Sequence, residues 1–91
     1  MANVKIEPKK RELFHQILDL VLDINESDSK DTAFMYFGGH VDVISVDVCT
    51  NGWDSKYDPD VRSNFYIESN ISKYKETVQK LSEVKENMHV L

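Results

Sequence analysis

Two stretches, one at each end of the chain, carry apolar residues at helical spacing. The first begins at Pro8, whose missing N–H suits the first turn of a helix, and predicts a helix over residues 8–25. The second follows Asn70, a good N-cap, and predicts a helix over residues 71–88. Each stretch gives one apolar stripe: Leu13, Phe14, Ile17, Leu18, Leu20, Val21 and Ile24 in the first, and Ile71, Tyr74, Val78, Leu81, Val84 and Met88 in the second.

The middle of the chain is rich in strand-forming residues and is interrupted by turn signals. We predict strands over residues 33–37, 41–49 and 64–68, with Gly38-Gly39 as a hairpin turn and Asn51-Gly52 as a second turn.

The apolar pattern of the second strand changes phase. Val41 and Val43 alternate with Asp42, whereas from Ile44 onward every second residue is apolar and Asp47 falls between two of them. A β-bulge near residues 43–44 would restore one apolar face and put Asp42 and Asp47 together on the other.

The predicted order of elements is α-β-β-β-α. Together they indicate an α+β fold, in which an N-terminal and a C-terminal helix pack on a three-stranded antiparallel sheet. Residues 1–91 contain no repeat and no internal linker, so we expect one domain with one hydrophobic core.

Composition agrees with a folded protein that stays in the cytoplasm. Hydrophobic residues form 41% of the chain and charged residues 30%, which is typical of globular domains. The sequence has no apolar run long enough to span a membrane and no secretory signal, so we expect no membrane association. The single cysteine, Cys49, cannot form an internal disulfide, which suits a reducing compartment.

Negative charge is concentrated in the middle of the chain. The net charge is −5, and residues 26–70 hold nine acidic and three basic residues, a balance of −6. The candidate partner-binding residues are carboxylates and aromatic residues of this region: Asp42, Asp47, Trp53, Asp54, Tyr57, Asp58, Asp60, Tyr66 and Glu68. Two interpretations stay open: a solvated face that keeps the protein soluble, or a docking surface on which carboxylates steer a basic partner and aromatic residues anchor it.

No pattern of catalytic or metal-binding residues accompanies this acidic region. The three histidines and the cysteine lack zinc-site spacing. Ser45, His40 and either Asp42 or Asp47 supply the residue types of a hydrolase, but no nucleophile elbow or oxyanion loop accompanies them. We therefore predict a protein that is not an enzyme and has no metal and no cofactor.

Direct nucleic-acid binding is a weaker alternative. The α-β-β-β-α order is also that of double-stranded RNA-binding domains, and Lys73 and Lys75 lie near the start of the last helix. Phosphate binding needs a denser basic face than these two lysines provide, so we predict no direct contact with nucleic acid.

The segment Asn51-Gly52-Trp53, followed by Tyr57 in an acidic loop, resembles a short part of phage-encoded anti-CRISPR inhibitors with an αβββα plan. Such inhibitors, encoded by phages and other mobile elements, occupy the basic DNA-binding channel of an RNA-guided nuclease by imitating the charge of DNA. The resemblance implies a basic protein partner, such as an RNA-guided nuclease or another nucleic-acid-binding protein. The six carboxylates would stand in for phosphates, and Trp53 and Tyr57 would act as anchors.

Two further functions use similar features. A toxin-neutralising immunity protein would cover a basic nuclease site with the same charges, and a structural subunit of a larger assembly would need no inhibitory surface. In each case we expect a monomer or a small homo-oligomer.

Overall fold

The computed structural model describes residues 5–39, 42–50, 52 and 59–87. The predicted α-β-β-β-α order is confirmed, and the strands form an antiparallel sheet of order β1-β2-β3. The elements are α1 (Pro8–Glu26), β1 (Thr32–Gly38), β2 (Val43–Cys49), β3 (Val61–Tyr66) and α2 (Ile71–Glu86).

Both helices begin at the residues whose chemistry predicts a start. Pro8 opens α1, and the Asn70 side chain caps α2 by accepting a hydrogen bond from the Ser72 N–H at 3.0 Å. At the end of α1, the hydroxyl of Ser27 donates to the Ile24 carbonyl at 2.7 Å and satisfies a group that the helix leaves unpaired. The start of α2 and the end of α1 therefore follow from local hydrogen bonds, whereas α1 starts at its proline without a side-chain cap.

The third strand begins three residues earlier than predicted and ends two residues earlier. The Asp60 N–H donates to the Val48 carbonyl at 3.1 Å, and Val61 already pairs with Val48. At the other end, the Tyr66 N–H donates to the Ser69 hydroxyl at 2.9 Å, so the chain turns there toward α2.

The predicted β-bulge in the second strand was wrong. The pairing of β2 with both neighbours is unbroken from Val43 onward, and Val43 lies opposite Gly38 and Tyr66. Asp42, just before the strand, has a left-handed backbone with φ 54°, and this turn residue accounts for the change of phase. Asp42 is buried, so it does not share an exposed face with Asp47.

One hydrophobic core fills the space between the helices and one face of the sheet. Its members come from all five elements and from the turn after β3: Ile17, Val21, Ile24, Ala33, Ile44, Val46, Val48, Phe65, Ile67, Tyr74, Leu81 and Val84. The ring of Tyr74 meets Phe65 edge-on at 4.7 Å between ring centroids, and its hydroxyl donates to the Ile67 carbonyl at 3.0 Å. The two helices are also joined at the surface, where Lys85 Nζ lies 2.8 Å from the Asp23 carboxylate. The second face of the sheet therefore points away from both helices.

Candidate interaction surfaces

The face of the sheet opposite the helices, called here the outer face, carries most of the described candidate residues. Strand alternation places on it the side chains of Phe34, Tyr36, Val43, Ser45, Asp47, Arg62, Asn64 and Tyr66. They form cross-strand rows, because Tyr36 lies opposite Ser45 and Ser45 opposite Asn64. The outer face is thus a mixed aromatic and polar surface.

Two exposed tyrosines lie on the outer face. Tyr36 on β1 is 58% exposed and Tyr66 on β3 is 60% exposed. Between these strands, the Ser45 hydroxyl donates to the Asn64 side-chain oxygen. A tyrosine offers a large apolar ring with a polar tip, which is why this residue is enriched at protein interfaces. The geometry supplies two aromatic contact points separated by a polar centre.

Asp47 lies on the outer face but is not an isolated negative charge. The register of β2 and β3 puts it directly opposite Arg62. Opposite charges at facing positions of a sheet offset one another, so the middle of the outer face is close to neutral.

The end of the sheet near the start of β1 holds two interacting carboxylates. Asp60 accepts hydrogen bonds from the Thr50 hydroxyl and from the Thr50 N–H, the latter at 2.9 Å. The hydrogen bond from the Thr50 hydroxyl lowers the pKa of Asp60. Partial burial, together with the charge of Asp60, raises the pKa of Asp31. The Asp60 carboxylate is therefore held in place by Thr50, with Asp31 close enough to feel its charge.

The opposite end of the sheet presents Glu68 and conceals Asp42. Glu68 is exposed in the turn after β3. Asp42 is only 7% exposed, and its backbone carbonyl accepts a hydrogen bond from the Ile67 N–H at 3.0 Å. No hydrogen bond to its Oδ2 atom is found within the described part of the chain. Asp42 is thus shielded from a partner, whereas Glu68 is available.

The described candidates therefore do not form one compact acidic cluster. Asp47 and Tyr66 share the outer face, whereas Asp60 and Glu68 lie at opposite ends of strands that are about 20 Å long. The remaining candidates, Trp53, Asp54, Tyr57 and Asp58, lie outside the described residues.

The residue types that suggested a hydrolase are not arranged as a catalytic triad in the described residues. Ser45 donates its hydrogen bond to the neutral Asn64 amide, Asp42 is buried just before the start of β2, and His40 lies outside the described residues. Among the residues that the structure describes, no group of three or more His, Cys, Asp or Glu side chains could hold a metal ion.

Neither described helix is long and apolar enough to cross a membrane.

Sequence reasoning overlooked Tyr36 as a surface residue. β1 is apolar on both faces, with Phe34 and Tyr36 on one side and Met35 and Phe37 on the other. Alternation alone cannot tell which of these two sets is buried. The available signal was the neighbouring strand, because Tyr36 pairs with polar Ser45 whereas Met35 pairs with apolar Val46.

Comparisons with protein-family models, with curated proteins and with solved structures each found no significant match to this chain.

Proposed function

We propose that the protein is a non-catalytic inhibitor that binds a basic, nucleic-acid-binding surface of another protein and so blocks it. The exposed pair Tyr36 and Tyr66 on the outer face is the observation that carries this proposal. Two exposed aromatic residues on a sheet face fit the anchoring role that tyrosine has in protein interfaces. An origin in a phage or mobile element, and action in the cytoplasm, belong to the proposal through the anti-CRISPR resemblance.

The distribution of charge supports a basic partner. α1 holds three basic and four acidic residues, and α2 holds four basic and three acidic residues, so the helices sum to zero. Lys5 and Glu7 also cancel. Residues 27–70 hold three basic and eight acidic residues, which gives the whole net charge of −5. Negative charge therefore belongs to the strands and their loops, and it would favour the encounter with a positively charged surface.

The outer face also has the chemistry expected of an interface centre. Cores of protein interfaces are depleted in charged residues, and here Asp47 is offset by Arg62 in the middle of the sheet. The uncompensated carboxylates lie at the ends, with Asp60 at one and Glu68 at the other. In this arrangement the tyrosines would supply contact area, while the peripheral carboxylates would steer the partner and face its basic residues.

The test is affinity capture from bacterial lysate at low and at moderate salt, with mass spectrometry as readout. The outer-face variant combines Tyr66→Ser with Glu68→Gln. The control combines Asp19→Asn with Glu86→Gln, which removes two exposed carboxylates from the helices, one more than the outer-face variant loses.

We expect the wild type and the control to recover one basic nucleic-acid-binding protein at low salt, with less recovered at moderate salt. The outer-face variant should lose it. Equal recovery by all three proteins would contradict binding through the outer face, and recovery that does not depend on salt would contradict a partner attracted by charge. A nuclease toxin as the captured protein would point to an immunity protein with the same binding surface.

A further inference from the structure

The free edge of β1 carries backbone groups without a partner among the described residues. The Asn25 side chain donates to the Ala33 carbonyl at 2.9 Å and accepts from the Ala33 N–H at 2.8 Å, so both groups point away from β2. Backbone groups alternate in direction along a strand, and those of Met35 and Phe37 must therefore point outward as well. No described residue forms a hydrogen bond with them.

The two edges of the sheet differ in whether side chains bond their outward-pointing backbone groups. On β3, Lys80 Nζ donates to the Arg62 carbonyl at 3.3 Å, and the Ser69 hydroxyl accepts from the Tyr66 N–H. β1, in contrast, contains no charged residue, no proline and no bulge, which are the features that usually protect an exposed edge. Among the described residues, side chains thus occupy groups on one edge, while the other stays able to accept a further strand.

Exposed apolar side chains gather beside the open edge. Of the five exposed large hydrophobic residues in the described part of the chain, four lie along β1 and the flank of α1 next to it: Leu18, Leu22, Tyr36 and Phe37. Phe14 of α1 meets Phe37 edge-on at 5.7 Å between ring centroids. Leu18 and Leu22 continue this row at four-residue spacing, on the side of α1 from which Asn25 reaches Ala33.

We propose that two copies of this chain pair through β1 in an antiparallel arrangement, about a two-fold axis beside Tyr36. Met35 of each copy would exchange two backbone hydrogen bonds with Phe37 of the other. Tyr36 would lie opposite its own counterpart at a position without backbone hydrogen bonds. The product is a continuous six-stranded sheet with α1 of the two copies side by side. This dimer does not depend on the proposed inhibitory function.

A second copy fits this edge because the edge is self-complementary. Each copy offers the same two outward-facing residues, and a two-fold axis places the donors of one opposite the acceptors of the other. Since β1 has no charged residue, no like charges of the two paired strands meet across the axis. The Asn25 side chain already bonds the Ala33 N–H and carbonyl, so the second copy cannot pair with Ala33. Only Met35 and Phe37 remain to pair, which places the two-fold axis at Tyr36.

A cysteine placed at the axis tests this register. Facing residues without backbone hydrogen bonds have Cα atoms about 4.5 Å apart, which lies within the range that a disulfide spans. Under mild oxidation, Tyr36→Cys should give a disulfide-linked dimer that a reducing agent converts back to separate chains. Tyr66→Cys is the control, because Tyr66 is as exposed as Tyr36 but lies on the other edge strand. Equal cross-linking of the two variants would overturn the proposal.

Sedimentation of the unmodified protein gives an independent test that does not require a folded cysteine variant. The wild type should sediment as a dimer that dissociates on dilution, and Tyr36→Lys should be monomeric because it places two positive charges at the axis. Circular dichroism would verify that Tyr36→Lys remains folded. A wild-type protein that is monomeric at all concentrations would overturn the proposal.

Discussion

The side-chain amide of Asn25 pairs with the backbone of Ala33 as a neighbouring strand would. It accepts from the Ala33 N–H at 2.8 Å and donates to the Ala33 carbonyl at 2.9 Å. These two bonds join the end of α1 to the start of β1 across a polar loop. They also satisfy the outward-pointing backbone groups of one residue at the sheet edge. Asn25 therefore both stabilises the fold and limits how far another strand could pair.

Removing this side chain should destabilise the fold. Asn25→Ala loses both hydrogen bonds and exposes the Ala33 backbone, so we expect the free energy of unfolding to fall by about 1–2 kcal/mol. Urea denaturation measures this change, and Gln16→Ala, an exposed position on the same helix, serves as the control. An unfolding free energy equal to that of the control would show that the amide pairing contributes little.

The buried hydroxyl of Tyr74 should contribute through its bond to the Ile67 carbonyl. Tyr74→Phe keeps the ring contact with Phe65 but leaves that buried carbonyl without its donor. We expect a loss of about 1–2 kcal/mol in the free energy of unfolding. Phe65→Leu would test the ring contact separately. A Tyr74→Phe variant as stable as the wild type would mean that water replaces the hydroxyl.

Tyr74 also makes the fold sensitive to alkaline pH. Burial, and secondarily the charge of Glu7, raises the pKa of Tyr74 above its ordinary value of about 10. The stabilisation linked to this shift is fully present below that ordinary value and is lost as pH rises through the folded-state pKa. Thermal unfolding followed into alkaline solution should therefore show a steeper loss for the wild type than for Tyr74→Phe. Parallel pH profiles would contradict the shift.

Asp60 and Asp31, the two carboxylates near the start of β1, should change the stability of the fold in opposite directions as the pH falls. The pKa of Asp60 is lowered, chiefly by the Thr50 hydroxyl, so its contribution is present above its unfolded pKa and is lost as pH falls through the folded one. Thr50→Val should therefore make stability less dependent on pH on the acid side.

The pKa of Asp31 is raised by burial and by Asp60, so ionised Asp31 is unfavourable and Asp31→Asn should stabilise the protein at neutral pH. Melting temperatures across the acidic range measure both effects.

Asp42 combines a left-handed backbone with a buried side chain. Glycine adopts φ 54° without steric cost, and Asp42→Gly would also remove a buried carboxylate oxygen that has no hydrogen bond to any described residue. We expect the free energy of unfolding to rise by about 1 kcal/mol. Val43→Gly, at the next position, should instead destabilise. A less stable Asp42→Gly variant would show that the carboxylate has a structural or binding role.

The parts of the fold that sequence predicted best are those with local chemical signals. Pro8 and Asn70 mark helix starts, and the glycine pair marks the first hairpin, so element order followed directly. The turn itself differs from the prediction, because Gly38 is the last residue of β1 and the positive φ near the turn belongs to Asp42. The third strand was placed too late, because its early residues Arg62 and Ser63 are polar and their pairing with β2 is a non-local contact.

The candidate site was less predictable than the fold. Asp42 was expected at the surface because the sequence pattern placed it on the face opposite the apolar residues. Its left-handed backbone is a property of the folded turn and could not be read from that pattern. Tyr36 was overlooked because β1 is apolar throughout, and only the position of the helices decides which of its faces is exposed.

Inhibition by blocking is measured most directly with the captured basic protein and a fluorescently labelled nucleic acid bound to it. Adding the wild-type protein should release the nucleic acid, seen as a fall in fluorescence anisotropy, and added salt should weaken this effect. The double variant Tyr66→Ser and Glu68→Gln should release much less, while Asp19→Asn with Glu86→Gln should act as the wild type does. Anisotropy that stays high while the wild-type protein binds the same partner would contradict inhibition by blocking, because binding would then leave the nucleic-acid site open.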